Sequence, residues 1–191
     1  MKTLIPYLQN DPMKTYIALF RGINVGGNNM LPMKELVSVL KSLGLKGVRT
    51  YIQSGNVIFQ SQAVNTTQLS VRISSAIMKS HGFEPKVLLL DSATLDKAIK
   101  SNPYPEAKSE PNTLHVNFLS LIPPAPDLKS LEKIKAESER FHLAGEVLYL
   151  HAPKGIGRSK LAAGMERLLG VPMTSRNWRT VCKLKEMIAD K

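Results

Sequence analysis

Three stretches of the chain carry side chains suited to holding an anion. In FRGINVGGNN, residues 20–29, an apolar run ends on Arg21 and breaks into three glycines and three asparagines. Gly26 and Gly27 permit positive φ and close backbone approach, so N–H groups can converge on one acceptor. Arg21 adds a planar fork matched to carboxylate or phosphate, and Asn24 and Asn28 add amides. Neither the dinucleotide fingerprint nor the Walker pattern is present, and a crossover loop that needs glycines and Asx turns for its own geometry explains the stretch equally well. In KGIGRSK, residues 154–160, Ser159 can cap a helix whose N-terminus is flanked by Lys154, Arg158 and Lys160. An ordinary capped helix with basic flanks is the competing reading. In TSRNWRT, residues 174–180, Arg176 and Arg179 flank Asn177 and the one tryptophan, Trp178, which can stack on a ring or serve as a core anchor. The anchor is favoured.

An absence separates chemistries more sharply. Across residues 21–29, 50–56, 154–160 and 174–180 there is no Asp, Glu, His or Cys. Proton transfer near neutral pH would fall to Tyr51 or Lys160 after a large pKa shift, and Ser54 has no sequence-adjacent base. Paired-carboxylate and metal-assisted hydrolysis lose support, and the stretches read as built to hold.

The elements that must position them follow from periodicity. TYIALF is a buried strand, Pro32 opens a helix through Leu36, Leu40 and Leu43 that Gly44 closes, and VRTYIQSGNVIFQS is a hairpin around Ser-Gly-Asn. A helix over 67–80 ends at Gly82, and KVLLLD completes β-α-β-β-α-β. SNPYPEAKSEPNT is aperiodic, so a linker is placed at 103–113 between a first half, 13–102, and a second, 114–191, that ends in a C-terminal helix. The second half repeats the order: LHVNFLSL a strand, DLKSLEKIKAESE a helix, FHLAGEVLYLHA a hairpin, SKLAAGMERLLG a helix. IQSGNVIF aligns on HLAGEVLY at an offset of 90, with Gly55 on Gly145 and Val57 on Val147. The expected class is α+β: two tandem ferredoxin-like βαββαβ halves packed together. In such a half the loop leaving the first strand and the turn leaving the second emerge at one end, so Arg21–Asn29 and Gln53, Ser54 and Asn56 should share a rim.

Bulk properties narrow the class. With 191 residues and 43% apolar content the chain can build a core, and no apolar run reaches the roughly 20 residues of a membrane helix. One cysteine and four scattered histidines give no metal-ligand spacing, so neither metal nor cofactor is expected. A cytoplasmic, unanchored protein is expected. The net charge is +11, and residues 154–185 hold eight Lys and Arg against Glu166 alone. Such a field favours anionic partners, small molecules or nucleic acid, or serves as a solvated surface.

RGINVGGNN followed by LPMKEL, then VRTYIQSGNVIF, and finally TSRNWRTV resembles the family catalogued as domain of unknown function 1697. The resemblance runs from about Met13 to the C-terminus. It implies an α+β fold, mainly bacterial relatives and no established activity. It points to Arg21, Gly22, Asn24, Gly26, Gly27, Tyr51, Ser54, Gly55, Asn56, Arg176, Asn177 and Trp178. It also makes residues 1–12 an extension with little order. Three uses follow, in descending order: a binding protein for a phosphate-bearing ligand, an enzyme acting on one, and an interaction module that forms a homodimer or takes another protein.

Overall fold

The computed structural model describes residues 12–190, so residues 1–11, which carry the expected N-terminal extension, lie outside the described residues. The chain divides into two compact units, Met1–Asp91 and Ser92–Lys191.

The first unit runs β1 (Lys14–Arg21), α1 (Met33–Ser42), β2 (Lys46–Tyr51), β3 (Asn56–Ser61), α2 (Thr66–His81) and β4 (Lys86–Asp91). Its antiparallel sheet has the order β2-β3-β1-β4, the ferredoxin-like arrangement. Tyr16, Ala18 and Phe20 of β1 and Val57 and Phe59 of β3 pack against Leu36, Leu40, Leu69 and Ile73 of the helices. The alternate residues Ile17, Leu19 and Ile58 are buried as well. Local signals set the helix ends. Asn65 Oδ1 accepts from Gln68 N at 2.9 Å, and Gly82 closes α2 in the left-handed region.

The second unit opens with α3 (Ser92–Lys100) and a 3-10 turn (Pro105–Ser109), then β5 (Leu114–Leu119), α4 (Leu128–Ile134), β6 (Arg140–Ala144), β7 (Val147–His151), α5 (Lys160–Leu169), β8 (Met173–Asn177) and α6 (Trp178–Ala189). Its sheet, β6-β7-β5-β8, repeats the first order. The fold is therefore α+β with two ferredoxin-like halves. Residues 92–100, assigned from sequence to the first half, form α3 and group with the second unit. The expected linker at 103–113 is anchored: Arg140 pairs with Glu106, lies 4.7 Å over the Tyr104 ring and donates to His151 Nδ1 at 2.9 Å.

Two sequence readings need correction. The helix expected over DLKSLEKIKAESE stops at Ile134, because Lys135 turns extended and the Glu139 carboxylate takes the Ala136 N–H at 2.8 Å. The repeat register is off by one. Val57 and Phe59 face the helices of the first unit, but in the second Leu148 and Leu150 do, and Val147 and Tyr149 point the other way. A strand alternates faces every residue, so the structural offset is 91 where the letters gave 90. The four-residue loop 52–55 shrinks to the two-residue turn 145–146, which is where the lettered alignment slips.

His115 and Asn117 share the helix-covered face of β5 with Leu150 and Leu148. Asn117 donates to Leu148 O at 2.9 Å, while its Oδ1 and His115 Nε2 are buried without a protein partner. Burial pushes the His115 imidazole below its ordinary value, opposed by a hydrogen bond with the Asn112 backbone. The unfolded chain takes up this proton near pH ~6.5 while the folded imidazole resists it, so acidification favours unfolding. The urea midpoint should hold above pH 7 and decline as the pH falls through ~6.5. His115→Leu should flatten part of that decline; an unchanged slope would move the effect to His151, which burial and Arg140 also depress.

Candidate functional site

The loop corner of the first unit forms as the topology requires. Phe20 N donates to Gly55 O at 2.8 Å, and Asn24 Nδ2 donates to Gln53 O at 2.9 Å, so the exits of β1 and β2 stand side by side. What the amides do there is internal. Asn24 also accepts from Leu31 N at 2.7 Å and donates to Leu31 O at 2.9 Å. Asn29 donates to Gly22 O, Asn28 N to Val25 O, and the fully buried Asn56 to Tyr51 O and Ser54 Oγ. Positive φ at Gly22, Asn24, Gly26, Gly27 and Asn29 serves these turns. Arg21, Gly26, Gly27, Asn28, Gln53 and Ser54 are exposed and Tyr51 is half-buried. In this corner the side chains of Asn24, Asn29 and Asn56 are spent on the chain itself.

The second unit holds a different arrangement. A cleft of about 730 Å³ opens between the α4–β6 connection and the loop that enters α5. Lys133, Lys135 and Glu139 line one wall, and Lys154, Arg158, Ser159 and Lys160 the other. Ser159 caps α5, accepting from Ala162 N at 2.9 Å, and the helix presents its positive end to the cleft. Lys135 pairs with Glu132 at 2.9 Å; Lys154, Arg158 and Lys160 form no ion pair among the described residues. Glu139 is only 5% exposed and has one oxygen committed to the Ala136 N–H. Five cations within one Debye length, about 8–10 Å, of a common volume create a field that exposed single charges do not.

Lys133, Lys135 and Glu139 were not singled out from sequence, because the early end of α4 and its return beside residues 154–160 had first to be known. The remaining candidates form a separate corner that does not line the cleft. Asn177 caps α6, accepting from Thr180 N at 2.9 Å, and Trp178 is 4% exposed, an anchor in the core. Arg176 is turned inward; its Nη1 donates to Ser175 O at 2.8 Å and burial pulls its pKa down to about 10, still charged at neutral pH. Arg179 is exposed. A second cavity of about 470 Å³, under α3 and the β6–β7 turn, faces Lys97 and Glu146 and has no charge bias.

No helix among the described residues is long and apolar enough to cross a membrane. No curated protein matches the chain. Among solved structures it is similar to the conserved bacterial protein SP0830 from Streptococcus pneumoniae, at 26% identity and a TM-score of 0.64, over 92% of this chain and 99% of that one. The family described as "Protein of unknown function (DUF1697)" matches residues 13–149, which cover the loop corner, the first hairpin and the second as far as Tyr149 in β7. The chain belongs to the DUF1697 family.

Proposed function

We propose that the protein binds a phosphate-bearing ligand of nucleotide size in the cleft at the start of α5. The observation that carries this reading is the convergence of Lys133, Lys135, Lys154, Arg158 and Lys160 on one volume of about 730 Å³ whose lone carboxylate is turned inward. A volume in this range is that of small-molecule sites. Extended single-stranded nucleic acid is the weaker fit, because such binders stack successive bases on aromatic rings and no aromatic side chain lines the cleft.

Calorimetric titration of the full chain with pyrophosphate, ATP and a short single-stranded RNA at low salt tests the reading. Binding should be tightest for the nucleotide and weaken with added salt. Removing Lys154, Arg158 and Lys160 together should weaken it about 100-fold, at roughly 1 kcal/mol per charge-assisted contact. Absence of heat with every titrant, or a triple variant that binds like the parent, sinks the reading.

A further inference from the structure

The loop corner also exposes apolar side chains. Val25 and Met30 are each 63% exposed and Ile52 is 51% exposed. The Asn24 side chain bonds the backbone of Gln53 and Leu31, the neighbours of Ile52 and Met30, and Asn24 itself precedes Val25, so one amide ties together the backbone segments that carry all three. The buried Ile23 and Leu31 pin the loop to the core on either side and leave Val25 and Met30 outward.

We infer that this corner is a docking site for an acidic protein segment that carries aliphatic or aromatic side chains, with Val25, Met30 and Ile52 as its anchors. Ile52 has φ +50°, a conformation costly for a β-branched residue and free of strain for glycine. Surroundings set the partner's charge. Described residues of the first unit hold nine Lys and Arg against three acids: Glu35, in the first turn of α1, pairs with His81 at 2.8 Å, Glu84 precedes β4 and Asp91 ends it. Arg21 faces Lys86 across the β1–β4 pair at the strand end where the loop begins. A second copy of such a surface is repelled, and an acidic partner is steered in. Exposed aliphatic side chains gain by burial against apolar side chains of another protein, whereas bases need rings to stack on, and Tyr51 is half-buried. This inference does not rest on the cleft reading.

A random peptide library displayed on phage, selected against the full chain, provides the test. Selected peptides should combine Asp or Glu with Leu, Ile or Phe, lose affinity as salt rises, and bind Met30→Asp at least about ten-fold more weakly. Ile52→Gly should bind weakly too while melting above the parent, which separates lost docking from lost folding. No selectable peptide, peptides without acidic bias, equal binding to both variants, or a single-stranded oligonucleotide that displaces every peptide would each overturn it.

Discussion

Replacing Gly55 by alanine is expected to destabilise the first unit by about 3 kcal/mol or more, measured as the shift in urea unfolding. A Cβ at this position would stand 2.6 Å from both Phe20 Cβ and Ile23 Cδ1, and φ is +72°. The Phe20 Cβ cannot swing aside, because it is fixed to a backbone whose N–H bonds Gly55 O at 2.8 Å. Left-handed backbone alone costs a side chain about 1–2 kcal/mol, and overpacking adds about 1–3. Gly164→Ala is the control. There the clash is with Ile134 Cδ1 at 2.8 Å, the far end of a flexible side chain, and alanine gains about 1 kcal/mol of helix propensity. The outcome should be nearly neutral. Equal costs at the two glycines would show that rigidity of the struck atom does not decide the effect.

What the sequence made legible was whatever depends on short-range pattern. The strand around Ile17, the helix stops at Gly44 and Gly82, and both hairpins follow from periodicity and turn chemistry, and the parallel direction of β1 and β2 then placed the two loop exits together. Long-range competition was hidden. The α3 segment follows β4 without a break and buries only Leu95 and Ala98, too few positions to print a helical period. The end of α4 is decided by Glu139, five residues beyond it, and the cleft exists only because that early stop lets the connection fold back beside Ser159. Residue type also cannot say whether an asparagine serves a ligand or its own chain. Asn24 and Asn56 have the composition of a binding loop and the bonding of a turn.

That distinction has a large measurable consequence. Asn24→Ala is expected to cost about 3 kcal/mol: three hydrogen bonds at roughly 1 kcal/mol each, with the strain of alanine in the left-handed region partly offset by relaxation. The bonds are to Leu31 N at 2.7 Å and to Leu31 O and Gln53 O at 2.9 Å, and φ at Asn24 is +53°. Asn24→Gly keeps the backbone and loses only the bonds, so it should be the milder variant by several tenths of a kcal/mol. Asn24→Asp retains the acceptor for Leu31 N but sets a carboxylate against two carbonyl oxygens, and should be at least as damaging as alanine. Hydrogen exchange locates the effect: the Leu31 amide should lose protection in the alanine and glycine variants and keep it best in the parent. If a ligand-facing amide were the true role, Asn24→Ala would leave unfolding and Leu31 exchange unchanged and alter only binding. A loop whose polar groups close on themselves can afford to leave its apolar side chains in water, because the backbone that carries them is held by the Asn24 amide and does not depend on their burial.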